Sequence, residues 1–548
     1  MKVDLISHLE EIHQLMTLQG ENPFKIRAFE KAIKNLAGQT DLKERANEGT
    51  LIELDGIGKG IAEVITEYFK RGSSKVHDEL SRLIPPELIE LTRVQGLGPK
   101  KAKELIEVLG IKTLGELEYA CRENRLLKLK GFGEKTQKKI LEGVGFLTRN
   151  QGRLRLGDAL FLSDDIRKIL DQALKKKGEY QVEETGALRR RLETLTELSF
   201  LIQNDPDAKT AALQKKACDQ AVAHFSETAQ ITVPISLHYA KPSEFGYEFA
   251  RTTASPDHWN AVGAPPKMAA SDEKTFFKKL SIPWISPEMR ETGEEIELAK
   301  SGKLDEVLPM GGIQGVFHMH TVWSDGKHTS EQMVQAAKKL GYRYVGISDH
   351  SQSAFYAHGL KSGDLKTQEK EIRNLQEKYP EIRIFWGIES DILADGSLDY
   401  NEAALKKFDF VIASIHSRFQ MDKNAMTDRI LKAIQNPYTR FIGHITGRLL
   451  LDREGYAIDM EKLILEAAKH DVAIEINAHP ARLDIDWRWG PQLRKAGTLV
   501  SINPDAHQME GLEDAQFGVV MARKALLPTK LVLNSRSASE VEKWLQRK

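Results

Sequence analysis

The chain has 548 residues, 41% of them hydrophobic and 29% charged, and its 79 basic side chains equal its 79 acidic ones. That composition describes a soluble globular protein long enough for about three or four domains. It excludes a membrane span, since no apolar run reaches ~18 residues. It also excludes a disulfide scaffold, since Cys121 and Cys218 are the only cysteines and fit a reducing cytoplasm. Zero net charge leaves any grip on a polyanion to local features. The charged, helical start Met1–Glu11 does not read as a signal peptide.

Three similar segments punctuate the first 148 residues: Leu54-Asp55-Gly56-Ile57-Gly58-Lys59-Gly60, Val94-Gln95-Gly96-Leu97-Gly98-Pro99-Lys100-Lys101 and Leu129-Lys130-Gly131-Phe132-Gly133-Glu134-Lys135. Each is Gly-apolar-Gly followed by a helical pattern, as in Ile61, Val64, Ile65 and Phe69 after the first. The glycines permit a tight turn that brings backbone N–H groups against a phosphate at a helix N-terminus. One such turn is a weak signal, but three in succession mark helix-hairpin-helix elements. The expected DNA contacts are Gly56, Gly58, Lys59, Gly96, Gly98, Lys100, Gly131, Gly133 and Lys135, independent of base sequence and sensitive to salt.

Apolar runs alternate with helical patterns from residue 315 onward. Ten of the sixteen histidines lie there, and several close a run: His318 and His320, His350, His416 and His444, with Glu389, Asp505 and His507 placed alike. In His318-Met319-His320, alternation along a strand puts both imidazoles on one face. Residues 329–341 predict an amphipathic helix, with Ser330 as N-cap and Gly341 as its stop. Further strands are predicted near 382–388, 409–415, 441–445, 472–476 and 498–502. A β/α barrel gathers such strand ends on one face, where imidazoles and carboxylates form the ligand set of a multinuclear metal site.

The stretch Asn22-Pro23-Phe24-Lys25-Ile26-Arg27-Ala28-Phe29, the three hairpins, and Ile282–Arg290 with Gly293–Glu297 resemble bacterial family X DNA polymerases, and the histidine-rich region resembles their PHP (polymerase and histidinol phosphatase) domain. The resemblance covers essentially the whole chain. It implies an all-α helix-hairpin-helix region, an α+β nucleotidyltransferase-like palm and a distorted (β/α)₇ barrel. The domains it implies are residues 1–85, 86–148, 149–265 for palm and thumb, a linker at 266–312, and 313–548.

Carried over by motif, the metal ligands are His318, His320, Asp325, His350, Glu389, His416, His444, Asp505 and His507. They suffice for three divalent ions, manganese or zinc. Glu389, His350, Asp505 and Arg418 are the expected catalytic residues, with Glu389 bridging two ions and Arg418 clamping phosphate. Arg448 is a weaker clamp candidate, and His358 and His479 match no ligand position. Where the family commonly has an Asp before the first histidine pair, this chain has Val316 and Phe317.

The palm departs from its family. The Gly-Ser position is Gly186-Ala187, the Asp-x-Asp position is Glu197-Leu198-Ser199, and Ser236 stands where the third Asp belongs, on the strand Ile231–His238. The Thr-Gly-Ser turn reads Thr253-Ala254-Ser255, with Asn260 a remaining nucleotide contact. Two Mg²⁺ ions need three carboxylates there, so polymerase activity is expected to be lost. Val64 replaces the Schiff-base lysine of eukaryotic members. The expectation is a monomeric, cytoplasmic (bacterial) protein, nucleoid-associated when bound to gapped, nicked or single-stranded 3′ ends, acting as a 3′→5′ exonuclease with 3′-phosphatase or abasic-site cleavage as related activities. The competing readings are an active gap-filling polymerase, a DNA-binding scaffold with structural metals, and a small-molecule phosphatase of the histidinol type.

Overall fold

The computed structural model describes residues 2–36, 42–84, 86–92, 94, 96–228, 231 and 233–546, so Gln95 of the second hairpin and Thr232 of the palm strand lie outside the described residues. The chain divides into two compact units, Met1–Gln151 and Gly152–Lys548. No helix among the described residues is long and apolar enough to cross a membrane.

The first unit is all helical. Its three glycine motifs lead into α1 (Lys59–Arg71), α2 (Pro99–Leu109) and α3 (Glu134–Asn150). The apolar residue of each motif, Ile57, Leu97 or Phe132, is buried in the unit's core, which pins the turn from inside. Val64 is buried in the same core, where it offers no amine.

The second unit begins with a three-stranded sheet. Strand β1 (Gln181–Thr185) pairs antiparallel with β2 (Leu198–Gln203), which pairs parallel with β3 (Ile235–Ala240). The long helices Leu156–Leu174 and Ala208–Thr228 pack together in the same layer.

Residues 266–312, expected as a linker, are instead a folded part of this unit. They carry helices Glu273–Lys279 and Glu294–Lys300 and bury Phe276, Phe277, Ile285 and Met289. The Glu273 carboxylate binds the fully buried Arg290 guanidinium at 2.5 and 2.9 Å and Arg189 at 2.8 and 2.9 Å. Burial alone would raise the pKa of Glu273, but Arg290 and Arg189 outweigh it and hold the carboxyl well below the usual range. Its contribution to stability is therefore present above about pH 4 and is lost as pH falls toward the folded value. Glu273→Gln leaves two buried cations without their counter-charge and is expected to cost about 3–5 kcal/mol at neutral pH, read by urea unfolding.

Seven parallel strands follow in sequential order: β4 (Gly315–Met319), β5 (Tyr344–Ile347), β6 (Arg383–Asp391), β7 (Phe410–Ser414), β8 (Thr439–Ile442), β9 (Ala473–Asn477) and β10 (Val500–Asn503). The ends meet through two hydrogen bonds, His320 N–H to the Ala506 carbonyl at 2.8 Å and Ala506 N–H to the His318 carbonyl at 3.1 Å, so the sheet curls into a nearly closed barrel. Phe317, Tyr344, Phe385, Phe410 and Phe441 fill its lower interior together with Trp544 of the C-terminal helix Ala538–Leu545. With the interior packed, only the C-terminal strand ends remain for chemistry. The helix after β4 spans Ser330–Lys339, and its N-cap is Thr329 rather than Ser330: the Thr329 backbone is extended and its hydroxyl accepts the Gln332 N–H in a capping box.

Candidate metal centre and glycine turns

The nine strand-end residues converge. Glu389, at the end of β6, sits at the centre and is fully buried. Its Oε1 lies 3.1 Å from His318 Nε2, 3.3 Å from His416 Nε2 and 3.0 Å from His444 Nε2. Its Oε2 lies 2.9 Å from His350 Nδ1 and 3.6 Å from His320 Nε2. Asp505 Oδ1 lies 3.3 Å from His320 Nε2 and 3.5 Å from His318 Nε2, while Asp325 reaches His507 at 3.4 Å and His350 at 3.7 Å.

Ligand atoms of His320, Asp325, His350 and His507 share one locus, those of His318, Glu389 and His444 a second, and those of His350, Glu389 and His416 a third, with Asp505 joining His318 and His320. His320 Nε2 and Glu389 Oε2 face each other, both buried and neither in a hydrogen bond. Buried polar atoms without hydrogen bonds are costly, and a shared cation would satisfy them. Six imidazoles and three carboxylates thus form a donor set that fits divalent metal ions.

Three of these residues hold left-handed backbone: His318 at φ 56°, His444 at φ 22° and Asp505 at φ 53°. Such conformations cost of order 1–3 kcal/mol each and gather at functional sites. His318 and His320 do meet, but the pairing of β4 with β5 shifts register between Val316 and Met319, so a break in the strand turns His318 inward rather than regular alternation.

The carboxylates that orient the imidazoles escaped sequence reading. Glu475 of β9 accepts from His318 Nδ1 at 2.5 Å and from the His444 N–H at 2.7 Å, and Asp391 binds His416 Nδ1 at 2.6 Å. Each directs the other ring nitrogen toward Glu389. An acid amid the apolar run Ala473-Ile474-Glu475-Ile476 was the available signal. Burial alone would lower the pKa of His416 and of His507, yet Glu389 with Asp391, and Asp325 with Asp505, outweigh it and raise both to about 9. Binding a cation here displaces protons.

A cavity of about 410 Å³ opens over the cluster, lined among others by Phe419, Arg453 and Arg482. The exposed Arg418 side chain is not part of that lining. Its backbone φ of 58° diverts the chain just after His416, which sequence pattern does not reveal. Arg448 is held by Asp486 at 2.5 Å and by the Arg482 carbonyl at 2.9 Å, so it braces loops. His479 accepts from the Ala481 N–H, and His358 closes the turn Phe355–Ala357.

In the first unit, the three motifs repeat one geometry. Gly56, Gly96 and Gly131 have φ between 77° and 91°, and Gly58, Gly98 and Gly133 are extended N-caps with no side-chain cap. A Cβ added at Gly58, Gly98 or Gly133 would meet nothing within 4 Å. The packing of the protein itself does not demand glycine there. Lys59, Lys100 and Lys135 are exposed beside these turns.

In the three-stranded sheet, Thr185, Ser199 and Ser236 stand side by side in the β1–β2–β3 register, and Ser236 Oγ donates to Glu197 Oε2 at 3.0 Å. A Cβ on Gly186 would fall 3.2 Å from the Ser199 side chain, so the expected active-site positions are neighbours. They bring together one carboxylate and two hydroxyls. Thr253 and Ser255 are buried, Thr253 bonds Arg189, and Asn260 is exposed.

Comparison with known proteins agrees with this layout. A helix-hairpin-helix domain matches residues 2–74, a SAM-like helix-hairpin-helix tandem residues 88–145, and a PHP domain residues 317–479. The whole chain is 35% identical to 99% of the DNA polymerase/3′-5′ exonuclease PolX of Bacillus subtilis (strain 168). Over 42% of its length it is 28% identical to 94% of a probable phosphatase of Thermoanaerobacter sp. (strain X514). A probable phosphatase of Caldanaerobacter subterraneus subsp. tengcongensis matches 42% of the chain at 27% identity.

Proposed function

We propose that this chain, which belongs to the family of the bacterial DNA polymerase/3′-5′ exonuclease PolX, hydrolyses phosphodiesters at DNA 3′ ends in its barrel and has lost nucleotide polymerisation. The observation that carries this reading is the contrast between two sites in one chain: nine converging ligands, Glu389 among them, in the barrel, and a single carboxylate, Glu197, at the three positions 197, 199 and 236.

His320, Asp325, His350 and His507 would hold one ion, His318, Glu389 and His444 a second, and His350, Glu389 and His416 a third, with manganese and zinc both suited to these donors. Divalent ions bound there supply Lewis acidity, activating water near neutral pH and offsetting charge at phosphorus. Glu389 spans two of the loci, and Glu475 and Asp391 keep the imidazoles aimed. Arg482 and Arg453 face the cavity and are placed to donate charge-assisted hydrogen bonds to non-bridging phosphate oxygens, the role expected of Arg418. The same chemistry extends to a 3′-phosphate or an abasic site. The hairpins hold single-stranded, nicked or gapped DNA by its backbone.

The test uses single-stranded DNA labelled at its 3′ end. Chelator-treated protein releases no label, and adding Mn²⁺ restores release of nucleoside 5′-monophosphate. Release that survives the chelator contradicts the reading. The hairpin grip has its own test. Gly98→Ala, or Gly58→Ala, meets no internal clash and is expected to weaken DNA binding and flatten its dependence on salt by about 0.9 for each phosphate no longer held. Hydrolysis of a small aryl phosphodiester stays unchanged. Unaltered DNA affinity and salt slope in these variants would make the turns mere packing.

A further inference from the structure

We infer that the palm layer serves the nuclease site directly, with Arg155 as a positioning residue for the two arginines that line the cavity. The inference rests on the phosphodiesterase reading. Leu154 and Arg155 pair with Thr194 and Leu195 in a short antiparallel ladder, which fixes Arg155 at the edge of the palm. Its Nε donates to the Leu450 carbonyl at 2.9 Å, and its guanidinium pairs with Asp452. Leu450 N–H in turn donates to the Ala481 carbonyl at 2.6 Å. One palm side chain thus grips the loop that ends in Arg453 and, through one backbone bond, the loop that carries Arg482.

Arg482 Nε lies 3.5 Å from Asp505, one of the nine ligands. Arg453 closes the 449–453 turn through two backbone bonds with Leu449, and its guanidinium reaches the Gly447 carbonyl at 2.7 Å. Two residues beyond Arg155, a Cβ on Gly157 would sit 3.3 Å from Pro480, so the palm helix Leu156–Leu174 starts directly against the second loop. Glu193, whose carbonyl accepts the Leu156 N–H, also binds Trp487 Nε1 at 3.0 Å and Arg488 at 2.5 Å, fastening the same corner to a further barrel loop.

Arginine loses considerable conformational freedom when it orders on a ligand. Loops already held in place leave less to be ordered when phosphate arrives. A palm with too few carboxylates for catalysis still has this work to do.

The experiment is a double-mutant cycle on the full-length chain with Mn²⁺ and bis(p-nitrophenyl) phosphate, a substrate too small to need the hairpins. Arg482→Ala and Arg155→Ala are each expected to lower kcat/KM about tenfold, mainly through KM. Adding Arg155→Ala to an Arg453→Ala, Arg482→Ala background is expected to cause no further loss, and Arg155→Lys to recover part of the loss of Arg155→Ala. Amide hydrogen exchange is expected to quicken at 447–453 and 479–483 in Arg155→Ala while the barrel strands keep their protection. Additive effects, unchanged exchange in those loops, or an unimpaired Arg155→Ala beside an impaired Arg482→Ala would overturn the inference and leave the nuclease reading intact. An inactive parent chain would overturn both.

Discussion

Replacing His318 and His320 together by alanine is expected to lower 3′-end hydrolysis on the order of ten-thousandfold, since each locus around Glu389 loses a ligand or a neighbour and the centre loses its charge compensation. His318 belongs to two of the ligand groups and His320 to two. Both are fully buried, so neither is replaced by solvent without cost. DNA affinity is expected to stay within about threefold, because the glycine turns lie in the unit Met1–Gln151 and the ligands in the unit Gly152–Lys548. Metal content, measured by mass spectrometry after dialysis, falls in the same variant. Residual hydrolysis above about a tenth of the parent rate would move the chemistry elsewhere.

The second large effect is an absence. With primer–template and all four nucleotides, in Mg²⁺ or Mn²⁺, no primer extension is expected, even in the His318→Ala, His320→Ala background where a nuclease cannot erase products. Two divalent ions held beside a triphosphate repel each other unless acidic ligands offset them. Glu197 provides the only carboxylate among Glu197, Ser199 and Ser236, and it already accepts from Ser236. Arg189, close to the Gly186 turn, is tied to Glu273 and Thr253 rather than open to phosphate. Asp at positions 197, 199 and 236 is expected to restore no more than trace extension, because Thr253 and Ser255 are buried beneath their own partners.

Much of the site was legible because it obeys a local rule: a titratable residue closes an apolar run, and parallel strands bring those closures together. That rule singled out eight of the nine residues, the family resemblance added Asp325, and the structure brings all nine together. It could not find Glu475, because its value depends on β9 facing His318 across the barrel, 157 residues away. Arg453 and Arg482 were invisible for a related reason, since the loops after β8 and β9 bring them to the cavity by tertiary packing that leaves no local pattern. Arg418 looked better placed because adjacency to His416 is all that sequence offers, and a left-handed turn then carries it outward.

The misreading of 266–312 has the same origin. Ile282–Arg290 and Gly293–Glu297 resemble the family's interdomain segment and so imply a linker, yet Arg290 there finds Glu273, and Glu291 finds Arg190 and Lys524. Ion pairs between distant segments leave no periodicity behind. The cap at Thr329 differs by one residue for a simpler reason: Thr329 and Ser330 are both competent caps, and Gln332 selects the residue three before it.

The central claim is that hydrolysis and polymerisation have parted within this chain. One reaction tests it most directly: gapped DNA with an internally labelled primer strand, parent protein and Mn²⁺, with and without the four nucleotides, resolved on a sequencing gel. The account predicts stepwise shortening of the primer from its 3′ end, unchanged by nucleotides. A primer lengthened by template-directed addition would contradict it.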